Sequence, residues 1–150
     1  MSFYKEYFWE QKLPLIRING LGTRQFLHGQ TTSNIKDARE GIIFGSCWLN
    51  SSGSLLALLE IKLDKLGADI VVLAGDSKKL KEGLELMSFP ADKVSIGKLE
   101  TVRQIQVLGS RESDRFDNVV WLLEDQELPN SFNKLKNATK NQYDHWRMTR

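Results

Sequence analysis

Two short polar segments carry the side chains in this sequence that are best suited to binding a small molecule. The first is the run Gln-Thr-Thr-Ser-Asn at residues 30–34, which follows apolar residues at positions 26–27. Amide and hydroxyl side chains donate and accept hydrogen bonds in several directions, and that chemistry suits the polar edge of a heterocycle. The same residue types also cap helices and form turns, so the alternative interpretation is a turn that leads into Ile35.

The second polar segment is the run Asn-Ser-Ser-Gly at residues 50–53, which lies between two apolar, strand-like runs. This pattern predicts a β-hairpin in which Gly53 adopts a positive φ angle. If the protein binds a small molecule, we expect residues 19–53 to form one wall of the site.

The periodicity of apolar residues predicts a mixture of helices and strands around these segments. A short helix is expected within residues 1–12, where aromatic residues recur at helical spacing, and Pro14 is expected to end it. A second helix is expected from an N-cap at Thr23 to about His28, and a third at residues 78–87. The near-continuous apolar run at residues 55–63 predicts a strand whose first half is buried on both faces. The other predicted strands are residues 15–18, 42–49, 70–73, 93–96, 101–108 and 119–123, with a turn at positions 97–98.

Composition and charge restrict the class of protein. The chain has 150 residues, of which 41% are hydrophobic and 27% are charged, as expected for a domain with a core. A net charge of +2 is too small to imply nucleic acid or an anionic membrane as the main partner. The single cysteine, Cys47, excludes an internal disulfide framework, and its apolar neighbours predict a buried thiol. Because no signal peptide or membrane-spanning run is apparent, we expect a soluble protein of the cytoplasm or an organelle stroma.

Common catalytic and phosphate-binding motifs are missing from the sequence. It contains no GxxxxGK[ST], no GxGxxG after a strand and no GxSxG. The two histidines, His28 and His145, lack the spacing of a zinc motif, so no metal site is predicted. The predicted domain organisation is an α+β domain at residues 1–125, followed by a surface segment at residues 126–150 that is rich in Asn and Lys.

Three segments follow, in order, the sequence patterns of one known superfamily. Residues 16–20 and 26–35 (IRING and FLHGQTTSNI) are similar to the pattern hydrophobic-x-G-x-D-A-x-x-F-L-Q-G-Q-x-T-x-D-V. Residues 49–55 (LNSSGSL) resemble its L-N-x-x-G-R-x turn, and residues 91–96 (ADKVSI) resemble its R/A-x-K-V-x-I strand entry. The patterns are those of the folate-binding domain shared by YgfZ-type proteins and the glycine-cleavage T-protein, an aminomethyltransferase.

The resemblance implies an α+β fold in which two or three helices pack on an antiparallel, ferredoxin-like sheet. It also implies a tetrahydrofolate pocket between the loop at residues 30–34 and the hairpin at residues 50–56. Polar side chains would meet the edge of the pterin ring and apolar side chains would cover its face. The residues predicted to bind the cofactor are Gln30, Thr31, Asn34, Trp48, Asn50 and Leu56.

Departures from the superfamily pattern indicate a domain that has lost catalysis. Where the T-protein carries acidic residues shortly after the hairpin turn, this sequence has Leu-Leu-Ala-Leu at positions 55–58. A leucine can neither hold a charge nor orient an amine, so no catalytic residue is predicted. His28 stands where the superfamily usually has glutamine, and Ser54 stands where a basic residue is usual.

The YgfZ resemblance implies a role in maintaining iron–sulfur proteins, with such proteins as partners. One alternative is an aminomethyltransferase-type enzyme, and another is an interaction module that keeps the fold without the ligand. The layout of YgfZ-type proteins continues into a K-G-C-[YF]-x-G-Q-E motif and a C-terminal barrel. The resemblance therefore implies the N-terminal part of that layout, as a natural short form or a truncated piece.

Overall fold

The computed structural model describes residues 7–108, 119–123, 126 and 136–137. The chain divides into two compact units, Pro14–Glu100 and Met1–Leu13 with Thr101–Arg150. The described helices are α1 (Thr23–Gln30), α2 (Ser77–Met87) and a 3-10 helix (Pro90–Asp92). The described strands are β1 (Tyr7–Asn19), β2 (Ile43–Leu49), β3 (Leu55–Leu63), β4 (Gly67–Gly75), β5 (Ser95–Leu108), β6 (Val119–Leu123) and β7 (Lys136–Asn137).

The unit Pro14–Glu100 is built on an antiparallel sheet with the strand order β2-β3-β4-β1-β5. The first three strands form a meander in which Cys47 of β2 pairs with Leu58 of β3, and Ile61 of β3 pairs with Ile70 of β4. Ile70 also pairs with Ile16 of β1, so β1 lies beside β4 although they are distant in sequence. Two helices pack on this sheet, and the predicted α+β antiparallel class is confirmed.

One hydrophobic core joins both helices to the sheet of this unit. Successive side chains of a strand point to opposite faces, and the odd-numbered residues of β3 from Ala57 to Leu63 are the ones in this core. Leu27 of α1 and Leu80 and Leu84 of α2 belong to the same cluster. Burial of each large aliphatic side chain stabilises the fold by about 1.5–3 kcal/mol. The spacing of four residues in α2 places both leucines on its inner face.

The second unit has its own small apolar cluster. β6 pairs antiparallel with β5, and β7 pairs parallel with the beginning of β1. Phe8 and Ile105 form the buried cluster, against which Val120 and Leu122 pack. In the predicted segment 126–150 only Gln126 and Lys136–Asn137 are described, so most of it lies outside the described residues and the predicted boundary at residue 125 stays a prediction.

The first correction concerns the predicted N-terminal helix. Residues 7–12 belong to β1, which continues through Pro14, and residues 1–6 lie outside the described residues. The local aromatic spacing is overridden by pairing within the second unit. Gln11 donates to the side chain of Gln104 at 3.1 Å, and Arg103 pairs with Glu10. These contacts join residues more than ninety positions apart, which no local pattern reveals.

Three further predictions were wrong in detail. β5 runs without a break through the predicted turn at positions 97–98, because Gly97 allows a close approach to the carbonyl of Arg17. The first half of β3 is not buried on both faces, since Leu55 and Leu58 are exposed beside buried Ala57. Cys47 is half-buried rather than buried. The predicted strands at β2 and β6 are confirmed within a residue.

An ion pair closes the turn between β3 and β4. The guanidinium of Arg17 binds both carboxylate oxygens of Asp64, with Nη2 donating to Oδ1 at 2.8 Å. The Asp64 carboxylate also accepts from the N–H groups of Leu66 at 2.8 Å and Gly67 at 2.9 Å. The side-chain hydrogen bonds from Arg17 lower the pKa of Asp64 well below its usual range, and the two backbone N–H groups add to this.

Stability should therefore fall when Asp64 is neutralised. Because its folded pKa is depressed, the contribution is complete above the ordinary pKa of 3.8 and is lost as pH falls through the lowered value. The pair is partly exposed, so we expect Asp64→Asn to cost about 1 kcal/mol at pH 7. Urea unfolding at pH 7, 5, 3 and 2 should show the difference from the unmodified chain shrinking only below about pH 4. Glu40→Gln, at an exposed position, is the matched control, and a difference independent of pH would contradict the assignment.

Candidate functional site

The N-terminus of α1 lies directly against the turn that follows α2. The N–H of Gly22 donates to the carbonyl of Lys93 at 3.3 Å, and a Cβ at Gly22 would lie 1.7 Å from the carbonyl oxygen of Asp92. Gly20 has a φ of +131°, which favours glycine. Thr23 is the first helical residue rather than the predicted N-cap, and its hydroxyl donates to the carbonyl of Gly20 at 2.7 Å. These contacts fix α1 beside the 3-10 helix.

The polar loop after α1 is held along β2 by its own hydrogen bonds. The hydroxyl of Thr31 donates to the carbonyl of Leu27 at 2.8 Å and so caps the end of the helix. Thr32 is joined to Cys47 of β2 in both directions, by its N–H at 3.1 Å and by its hydroxyl, which accepts the Cys47 N–H at 3.1 Å. The alternative interpretation of residues 30–34 as a turn predicts hydrogen bonds of this kind, from side chains to nearby backbone groups.

The remainder of this loop is held by hydrogen bonds to other residues of the same unit. The amide of Asn34 donates to Asp37 at 3.0 Å. The N–H of Ile35 donates to Nδ1 of His28 at 3.2 Å, which requires that ring nitrogen to be unprotonated. The guanidinium of Arg24 donates to the carbonyl of Ile35 at 3.1 Å. Most of the polar groups predicted to face a ligand are thus used locally.

Gln30 differs from the other residues of the loop. It is the last residue of α1, and its side chain makes no hydrogen bond within the part of the chain that the structure describes. It also lines a cleft, described below. Its amide therefore has donor and acceptor capacity available for a ligand.

The predicted hairpin is present and Asn50 organises it. The Oδ1 atom of Asn50 accepts from the N–H of Ser52 at 3.0 Å, from the Ser52 hydroxyl at 2.8 Å and from the N–H of Ser54 at 2.8 Å. Gly53 has a φ of +86°, as predicted. The side-chain oxygen of Asn50 is therefore used by the turn, whereas its side-chain nitrogen makes no hydrogen bond to the residues that the structure describes.

The two predicted apolar site residues have different surroundings. Trp48 packs against the hydrophobic core, and a Cβ at Gly83 of α2 would lie 2.6 Å from its ring. Leu56 is 39% exposed at the beginning of β3. Of the six predicted residues, Gln30 alone is part of the lining of the cleft described next. Ligand binding by the six residues stays a prediction.

A cleft of 640 Å³ lies between α1 and the segment that follows α2. This volume is within the range of about 300–1,000 Å³ that is typical of small-molecule sites. α1 contributes one wall, and the end of α2 with the 3-10 helix contributes the other. The lining residues are Leu21, Gly22, Gln25, Phe26, Gly29, Gln30, Met87, Phe89, Ala91, Asp92 and Lys93.

The wall after α2 is rigidly built although its apolar side chains are exposed. The N–H of Phe89 donates to Oδ2 of Asp92 at 2.7 Å, and the N–H of Asp92 donates to the carbonyl of Phe89 at 2.9 Å. Phe89 is nevertheless 62% exposed. Leu21 and Met87 are also exposed and line the same cleft, and exposed apolar side chains that are grouped in this way are typical of a binding surface.

Two other features are absent from the described part of the chain. The described residues contain no group of three His, Cys, Asp or Glu side chains arranged to hold a metal ion. Within the same residues, neither helix has the length and hydrophobicity required to cross a membrane.

The chain resembles known proteins in its structure and not in its sequence. No protein-family profile matches the chain, and no curated protein matches it in sequence. The fold is similar to that of the glycine cleavage system aminomethyltransferase T from Bartonella henselae, with a TM-score of 0.57 and 17% sequence identity. The similarity covers 69% of this chain and 29% of that protein, so this chain spans less than a third of its length. The likeness shows a shared α+β fold.

Most residues of the cleft were not predicted from the sequence. Gln30 was predicted from the polar loop, whereas Phe89, Met87 and Leu21 were not, because apolar residues at the ends of helices are usually assigned to the core. The sequence feature that could have indicated the cleft is the pair Phe89-Pro90. A proline directly after an aromatic residue ends the helix and restricts the backbone at that point.

Proposed function

We propose that this chain is a tetrahydrofolate-binding domain of YgfZ-like type, without catalytic activity, that serves the maintenance of iron–sulfur proteins. The observation that carries the proposal is the cleft beside Gln30, in a fold that a glycine cleavage aminomethyltransferase shares. Its size suits a small ligand, and the Gln30 amide offers a donor and an acceptor for the edge of a pterin ring. The sequence patterns quoted above for this superfamily support the same assignment.

The proposed absence of catalysis is supported by the side chains that follow the hairpin. An aminomethyltransferase-type enzyme needs an acid near this turn, whereas Leu56 and Ala57 occupy it here. Ala57 is also buried in the hydrophobic core. An assay for methylene-tetrahydrofolate formation from a loaded carrier protein should therefore show no turnover, and measurable turnover would restore the enzymatic alternative.

The first test is the binding of tetrahydrofolate itself, measured by isothermal titration under reducing conditions. We expect saturable heat from the unmodified chain and affinity about tenfold weaker for Gln30→Ala, because the lost hydrogen bonds to a buried ring edge are worth about 1.4 kcal/mol. Lys79→Ala, an exposed change on α2, should leave the affinity unchanged. Absence of heat from the unmodified chain would refute the proposed function.

A second candidate function, a ligand-free interaction module, is favoured by a separate apolar surface. Leu55 and Leu58 of β3 are exposed near the hairpin, together with Leu49 and Leu56. A group of exposed leucines of this kind is typical of surfaces that bind other proteins. If the chain is an interaction module, it should self-associate as its concentration rises, and Leu55→Ser should remove this self-association. It should also bind no tetrahydrofolate. Size-exclusion chromatography over a range of concentrations distinguishes the two functions.

A further inference from the structure

The cleft between α1 and the 3-10 helix combines exposed apolar side chains with a rigid backbone. Leu21 is 92% exposed at its rim, and Met87 and Phe89 are also exposed. The hydrogen bonds between Phe89 and Asp92, and the close contact of Gly22 with Asp92 and Lys93, hold both walls in place. The apolar surface of the cleft is therefore pre-organised, which lowers the entropy cost of binding the face of a ring.

Glycine at position 29 keeps one side of the cleft open. Gly29 lies in α1, where glycine is unfavourable by roughly 1 kcal/mol relative to alanine. A Cβ at this position would meet no atom within 4 Å, so the space beside it is empty. Packing within the unit therefore does not require the glycine, whereas a ligand that lies against α1 would.

The polar groups of the cleft are of three kinds. Gln25 and Gln30 of α1 carry amides, each with a donor and an acceptor. The Asp92 carboxylate has one oxygen bound to the N–H of Phe89, and its other oxygen can accept from a ring N–H or amine. Lys93 is exposed on the same lining and supplies a cation. Amides and a carboxylate suit the edge of a heterocycle, and an ammonium group suits an anionic substituent.

We propose that this cleft, rather than the surface of the hairpin at residues 50–56, holds the ring of the ligand. The ring would lie against Phe89 and the open side of Gly29, with Gln25 and Gln30 at its edge. Lys93 then binds the negatively charged tail of a ligand that consists of a bicyclic heterocycle with a carboxylate side arm. This inference rests on the proposed tetrahydrofolate function and adds the location and orientation of the ligand to it.

Filling the open side of the cleft is the decisive experiment. Gly29→Leu places a side chain into empty space and also raises helix propensity, so the variant should be at least as stable as the unmodified chain in urea. Titration with tetrahydrofolate should show a loss of affinity of at least thirtyfold. Lys79→Leu, which adds the same side chain to an exposed position of α2, should bind normally, and Ser51→Leu, at an exposed position of the hairpin, should change affinity by less than threefold.

The orientation is tested by separating the ring from its tail. Lys93→Gln should weaken tetrahydrofolate about fivefold and leave tetrahydropterin, which lacks the glutamate tail, unchanged. Lys98→Gln, an exposed change on β5, is the matched control and should affect neither ligand. Equal weakening of both ligands by Lys93→Gln would overturn the orientation.

The outcomes separate this inference from the proposed function. If the unmodified chain binds tetrahydrofolate and Gly29→Leu binds equally well, the location is wrong while the function stands. If Ser51→Leu loses more affinity than Gly29→Leu, the ring lies at the hairpin. If the unmodified chain binds no tetrahydrofolate, the function and this location are both refuted.

Discussion

Replacing Gly22 with alanine should destabilise the chain by about 3 kcal/mol, which is at the upper end for inserting a methyl group into a packed site. The cause is contact alone, since Gly22 has a φ of −88°, which every residue adopts. Its new Cβ would lie 1.7 Å from the carbonyl oxygen of Asp92 and 2.9 Å from the carbonyl carbon, and both of these atoms are backbone. Relief requires α1 and the 3-10 helix to move apart, which also weakens the hydrogen bond from Gly22 to Lys93.

The same substitution at Gly29 is the matched control for this prediction. Both glycines line the cleft, but a Cβ at Gly29 meets nothing within 4 Å. Gly29→Ala should therefore stabilise the chain, by about 0.5 kcal/mol, through helix propensity. Urea unfolding of both variants gives the comparison, and similar effects at the two positions would contradict the close approach of α1 to residues 92–93.

The parts of the fold that follow from local pattern were predicted well. The hairpin at Asn50 was predicted because its turn residues and flanking strands are adjacent in sequence, and α2 was predicted from the spacing of Leu80 and Leu84. Residues 15–18 of β1 were predicted as a strand, but the part before Pro14 was not, because it is held by contacts with Gln104 and Arg103, more than ninety positions away. Periodicity within one segment carries no information about such a partner, so the aromatic residues before Pro14 indicated a helix instead.

The residues of the candidate site were likewise predicted only in part. Gln30 was predicted as a site residue because amide and hydroxyl side chains can be recognised in the sequence. The hydroxyls of Thr31 and Thr32, in contrast, cap α1 and bind the backbone of β2. Phe89 was assigned to no site, because its exposure results from the packing of α1 against the 3-10 helix. A cleft exists only where two elements are held apart at a suitable distance, and the residue types in a sequence do not specify that distance.

Gly83→Ala should have opposite effects in two backgrounds. In the unmodified chain its Cβ would lie 2.6 Å from the ring of Trp48, which is half-buried and packs against the core. We expect a cost of about 2 kcal/mol from this overpacking. In a Trp48→Leu background the ring is gone, and the same change should stabilise α2 by up to about 1 kcal/mol through helix propensity.

A double-mutant cycle measured by urea unfolding gives the coupling between these positions, for which we expect about 3 kcal/mol, the sum of the lost clash and the recovered propensity. Gly29→Ala should stabilise both backgrounds equally, because its Cβ contacts nothing. Additive effects of Gly83→Ala and Trp48→Leu would show that α2 does not pack on the Trp48 ring. Strong coupling would assign Trp48 to the core between β2 and α2, and its predicted contact with a pterin ring would then require that ring to enter the core, which packed side chains exclude.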